Sequence, residues 1–133
     1  MTEAQTALAE LTEISSQVQA AVLSDSAGAV QAATLPDEAV AARLASSARA
    51  LLETAEQLRD GVVTQIEAAT GEGSFFVARD DERLIAAVTG PSPTAGLVFY
   101  DLKSCLRRAA EKPKPKPKRK PKPRPSKKAN GPS

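Results

Sequence analysis

An α+β sandwich, in which helices pack on a five-stranded antiparallel sheet, is the fold class this chain predicts, followed by a disordered basic tail. Three observations predict it. Charge divides the chain near position 111: before it eight Lys or Arg stand against fifteen Asp or Glu, a net of −7, and from there to Ser133 ten stand against one, a net of +9. Ahead of that division, apolar residues recur at helical spacing in three segments and in short strand-like runs in five. Turn-forming clusters, rich in Gly, Asp, Ser and Pro, separate the short runs. The overall charge of +2 therefore averages two unlike objects, a body at 1–110 and a tail at 111–133.

Each element has its own signal. Thr2 and Gln5 form a capping-box pair, with Leu8, Leu11 and Ile14 on one face of a helix ending near Ser15 or Ser16. Val18 to Ser24 and Ala29 to Thr34 read as strands of a hairpin around Asp25-Ser26-Ala27-Gly28. Pro36 and Asp37 open a long helix to about Asp60, which Gly61 is placed to stop. Its apolar positions are Val40, Leu44, Leu51, Ala55 and Leu58, while Ala41, Ala45 and Ala48 permit close approach by a neighbour.

Three strands follow. Val62 to Thr70 alternates, with Val62, Thr64, Ile66 and Ala68 on one face. Gly71-Glu72-Gly73 turns the chain into Phe75 to Arg79, and Asp80-Asp81-Glu82 turns it again into Arg83 to Thr89. Ser92 and Pro93 suit the cap and first turn of a last helix. That helix carries Phe99, Leu102, Leu106 and Ala109 on one side, and Lys103, Arg107 and Arg108 near its C-terminus suit the dipole. Four aromatic residues and many alanines make a modest core, so burial against a second copy would help stabilise it.

The order and its joints resemble the Roadblock family: roadblock dynein light chains, Ragulator scaffold subunits and bacterial partners of small Ras-like GTPases. The stretch Ala21 to Ala32, a hydrophobic strand, an Asp/Gly turn and a second strand, is similar to the family's opening hairpin. Thr64 to Glu67 through Gly73 to Val77 resembles the central hairpin. Leu84 to Thr89, then Gly96 to Val98 and Leu102 to Arg108, resembles the closing strand and helix. The resemblance implies a profilin-like αββαβββα body that forms a homodimer. Val62, Thr64, Ile66 and Ala68 would pair with their symmetry mates, and Leu51 and Ala55 would meet across the twofold axis. It also implies a Ras-like GTPase as partner, with Arg43, Arg49, Glu53 and Glu56 as candidate contact residues. The residues agree on one point independently: the run at Val62 carries no Pro and a single charge, Glu67, and is poorly defended against edge pairing.

Chemistry is sparse. The chain has no histidine, which removes the usual base near neutral pH and the commonest zinc ligand. No Gly is followed by Lys, so there is no P-loop and any GTPase must be another chain. Cys105, the single cysteine, reads as a small buried hydrophobe and excludes an internal disulfide. Asp80-Asp81-Glu82 and Asp25 read as solvated turns rather than cation sites. The expectation is a non-enzymatic, cofactor-free, metal-free binding module. The acidic, amphipathic N-terminus and the lack of a spanning apolar run make cytoplasmic the expected location.

The tail's cations are Lys112, Lys114, Lys116, Lys118, Arg119, Lys120, Lys122, Arg124, Lys127 and Lys128. Alternating Pro and mutual repulsion predict an extended arm of roughly 3 Å per residue, about 70 Å in all. It fits an anionic partner, nucleic acid or membrane surface, bound through phosphates without base readout. A regulatory or scaffold dimer for a GTPase is therefore the leading function expected. A nucleic-acid-associated protein whose body only dimerises basic tails is the alternative.

Overall fold

In the computed structural model the described residues are 2–110. They run α1 (Glu3–Ile14), β1 (Val18–Asp25), β2 (Val30–Ala33), α2 (Glu38–Leu58), β3 (Gln65–Thr70), β4 (Gly73–Arg79), β5 (Arg83–Thr89) and α3 (Ala95–Ala110). The tail expectations, with the ten tail cations, lie outside the described residues.

Local chemistry accounts for the joints. At the start of α1 the Thr2 hydroxyl accepts from the Gln5 N–H and the Gln5 side chain accepts from the Thr2 N–H, each at 3.1 Å. This is the predicted capping box. The first hairpin turns on Asp25, whose Oδ1 accepts from the N–H groups of Ala27 and Ala29 at 2.9 Å. Gly28 there adopts φ +93°, a conformation costly for any residue with a Cβ. Asp37 caps α2 by accepting from the N–H of Ala39 at 2.9 Å.

All pairings are antiparallel, and the sheet order is β2-β1-β5-β4-β3. Register alternates two rows of side chains. Ala21, Ala87 and Phe76 stand opposite one another on the face that α1 and α3 cover. Val22, Ala86 and Val77 stand on the other face, against Ala45, Ala48 and Leu52 of α2. The predicted sandwich thus has three layers: two helices, the sheet, and one long helix. The ring of Phe76 meets Phe99 edge to face, with centroids 5.0 Å apart.

The structure corrects the predicted boundaries in four places. Ile14 is exposed, because α1 ends on it and Ser15 takes the buried position. The long helix stops at Leu58, with Arg59 already extended, and Gly61 at φ +103° redirects the chain rather than ending the helix. β3 begins at Gln65, not Val62. The last helix begins at Ala95 and Ser92 is not its cap. Pro93 disfavours the right-handed helical conformation at the residue before it, and Ser92 sits at φ +60°.

Candidate functional site

The long helix has two apolar stripes, and the structure assigns them opposite roles. Ala41, Ala45, Ala48 and Leu52 are buried against the sheet. Methyl side chains let the helix approach the strands closely, so the larger residues are not needed there. Val40, Leu51 and Leu58 face outward, 39%, 36% and 78% exposed, with Leu44 and Ala55 half-buried between the stripes. The spacing of 40, 44, 51, 55 and 58 is that of a helix seam. Here that seam is only partly covered, with Leu44 packed against the sheet-side core and Leu58 mostly in solvent.

Beside α2 the sheet ends in β3, whose outer edge has no strand partner among the described residues. Ile66 is half-buried and packs with the α2-side core, whereas Ala68 and Glu67 are exposed. Val62 and Thr64, predicted as strand residues, precede β3, and Val62 is 75% exposed. The physical reason lies in two charged side chains. The Val63 N–H donates to Glu56 Oε2 at 2.9 Å, and the Val63 carbonyl accepts from Arg79 Nε at 2.8 Å. Its backbone groups are thus engaged by side chains rather than by a strand ladder. Arg79 and Glu56 also form an ion pair with each other.

That brace changes the reading of the candidate partner residues. Glu56, predicted to face a partner, is half-buried and joins α2, the approach to β3, and β4. Arg43 and Glu53 are exposed. Arg49 is exposed too, pairs with Glu53 at 3.0 Å, and donates from Nε to the Ser26 carbonyl at 3.2 Å. The pair lines a cleft of about 240 Å³ with Arg79, Arg83, Asp80 and Asp81. Each of its three guanidinium groups has an anionic or polar neighbour, but Arg83, which donates from Nε to Gln31 at 3.1 Å and lies 3.6 Å from Glu82, keeps a buried Nη1 without a hydrogen bond. The cleft is a charge-balanced brace at one end of the sheet.

The groups with reactive potential occupy structural positions. Asp80 closes its hairpin by accepting from the N–H groups of Glu82 and Arg83 at 2.9 and 2.8 Å. Cys105 is buried under α1, and burial pushes its thiol up to about 12, Arg108 opposing and Glu10 adding to the shift. Among the described residues no group of three or more His, Cys, Asp or Glu could hold a metal. No helix among them is long and apolar enough to cross a membrane. The geometry offers surfaces for contact: an outward leucine seam on α2 next to an open strand edge.

A five-stranded antiparallel sheet with two helices on one face and a long one on the other is a profilin-like fold. Profilin IA of Acanthamoeba castellanii aligns at a TM-score of 0.54 and 14% identity, over 77% of this chain and 93% of its own. Within that class the chain has the Roadblock fold. A Roadblock/LC7 domain from Streptomyces avermitilis aligns at a TM-score of 0.66 and 20% identity, over 74% of this chain and 88% of its own. The gliding protein MglB of Thermus thermophilus aligns at 0.62 and 20% identity, over 81% and 86%. By sequence, the chain matches no family model and no curated protein.

Proposed function

We propose that this chain is a non-catalytic regulatory or scaffold module. In this reading it pairs with a second copy through β3 and the outer seam of α2, and binds a small Ras-like GTPase on the surface so formed. One observation carries it: Leu51, Leu58 and Val62 are exposed next to a sheet edge with a single charge and no proline. Contiguous apolar surface beside an undefended edge favours association in water. An isologous contact lets one patch cover its own copy. The Roadblock fold of the structural neighbours supports the same arrangement, and the family resemblance supplies the class of partner. The basic tail adds an anionic partner met through phosphates, with affinity falling as salt rises.

Light scattering of the full chain at micromolar concentration is expected to give a dimer. Leu51→Glu combined with Leu58→Glu should weaken dimerisation by about 100-fold, equivalent to about 2.8 kcal/mol, with unchanged circular dichroism. Pull-down with a Ras-like GTPase, loaded with GDP or GTP, then tests the partner. A wild-type monomer that captures no such GTPase in either state would end this reading.

A further inference from the structure

Backbone groups along the open edge of β3 decide how a second copy can pair there. The N–H of Arg79 donates to the Thr64 carbonyl at 3.0 Å, and the register continues as Gln65 opposite Ala78 and Ile66 opposite Val77. In an antiparallel ladder, bonded and non-bonded residues alternate along the strand. Thr64, Ile66, Ala68 and Thr70 therefore bond to β4, and Gln65, Glu67 and Ala69 turn their N–H and carbonyl groups to the outer edge. All three are exposed, and this edge has no strand partner among the described residues.

Val63 is next in that alternation but is withheld. Its N–H donates to Glu56 Oε2 at 2.9 Å, and its carbonyl accepts from Arg79 Nε at 2.8 Å. The two side chains are ion-paired with each other, so the cap is held from both sides. At the other end Gly71 and Glu72 form the turn into β4, where the N–H groups of Glu72 and Gly73 donate to the Thr70 hydroxyl, each at 3.2 Å. Among the described residues the edge thus offers Gln65, Glu67 and Ala69, bounded by an ion-paired cap on one side and a tight turn on the other.

A twofold pairing of β3 with its own copy sets positions equally distant from the axis against each other. Centred on Glu67, it joins Gln65 to the partner's Ala69, Glu67 to the partner's Glu67, and Ala69 to the partner's Gln65, so every free position bonds. Centred on Ala68, it sends Gln65 to Gly71 in the turn. Centred on Ile66, it sends Ala69 to the capped Val63. Either choice leaves one free position unused. Resting on the self-pairing proposed above, we infer that the Glu56–Arg79 ion pair is a register stop, which places Glu67 against its own copy on the twofold axis. Like charges directly opposite on adjacent strands oppose pairing, so Glu67 also limits how tightly the two copies hold.

Cysteine scanning of the full chain in a Cys105→Ala background reads the register. Gln65→Cys, Ile66→Cys, Glu67→Cys, Ala68→Cys and Ala69→Cys are oxidised singly, at a concentration where light scattering gives a dimer. Residues of a bonded pair stand about 5.5 Å apart, inside the span a disulfide bridges, whereas each step from the axis adds about 7 Å along the strands. Cross-linking is expected to be fastest at position 67. Adding Glu56→Ala releases Val63 and makes the pairing centred on Ile66 the longer one, so the maximum should move to position 66. Glu56→Gln, whose amide oxygen can still accept from Val63, should leave it at 67. Glu67→Gln, without a cysteine, should tighten self-association about two- to fivefold. A dimer whose maximum falls at 65, 66, 68 or 69 with Glu56 present would overturn the inference and leave self-pairing intact. A maximum that stays at 67 after Glu56→Ala would do the same. A chain that stays monomeric in light scattering would overturn self-pairing and the register with it.

Discussion

Two layers cover the sheet, and they are built on opposite plans. On one face, α1 and α3 bring Leu8, Leu11, Leu102 and Leu106 onto Leu23, Phe76 and Ile85, with Phe99 against the Phe76 ring. Most of the bulk is directed inward and the layer closes over the sheet, with Ile14, Leu97 and Tyr100 left exposed. On the other face, α2 meets Val22, Val77, Leu84 and Ala86 with Ala41, Ala45, Ala48 and only one large residue, Leu52. Its remaining leucines and Val40 stand half or fully outside. A fully buried Leu or Phe contributes about 1.5–3 kcal/mol and an alanine much less, so the α2 layer gains less from the protomer alone. The contrast teaches that one face of this body is filled by large side chains, whereas the other is filled mostly by alanine and leaves apolar residues outside.

The largest expected effect breaks the closed layer. Phe76→Ala removes its biggest fully buried side chain and leaves the Phe99 ring without a partner. Truncation of a buried Phe costs about 3–5 kcal/mol, which urea unfolding would read as a lowered midpoint at unchanged slope. A loss below about 1 kcal/mol would show that the α1/α3 layer is loosely packed, contrary to the plan described. Next comes the α2 layer. Ala45→Leu adds three carbons where the side chain is fully buried against the sheet. Overpacking of this kind costs about 1–3 kcal/mol, whereas in an under-filled layer the same change would stabilise. The sign of the change in unfolding midpoint decides between them.

How much of this is legible in the sequence depends on whether the signal is local. The hairpins at Asp25 and Asp80 and the Thr2–Gln5 cap are readable because each side chain bonds backbone within four residues. The two stripes of α2 are visible as well, but periodicity gives each the same helical spacing. Which one meets the sheet is decided by how close the helix lies, a tertiary matter. The start of β3 eludes the sequence for a similar reason. Val62 to Thr64 alternate as a strand would, yet Val63 bonds the side chains of Glu56 and Arg79. Those two are 23 residues apart in the chain, so nothing near Glu56 marks it as an internal brace rather than a partner-facing charge.

The smallest effect sharpens the comparison from inside the closed layer, through Cys105. Its folded-state pKa lies at about 12 against 9.0 for the free group, mainly because burial penalises the thiolate. A raised pKa means that folding favours the protonated thiol. That contribution is complete below about pH 9, where the unfolded chain also keeps its proton, and is lost progressively as pH rises from 9 toward 12. The difference in unfolding free energy between wild type and Cys105→Ala should therefore be flat from about pH 6 to about 9 and shrink above it, other titrating groups cancelling in the subtraction. Thiol labelling of the native protein at about pH 8 should in parallel proceed only as fast as the layer opens, and accelerate in Phe76→Ala. Rapid labelling of the wild type under native conditions would mean that α1 and α3 do not seal the sheet, and the contrast between the two layers would fail.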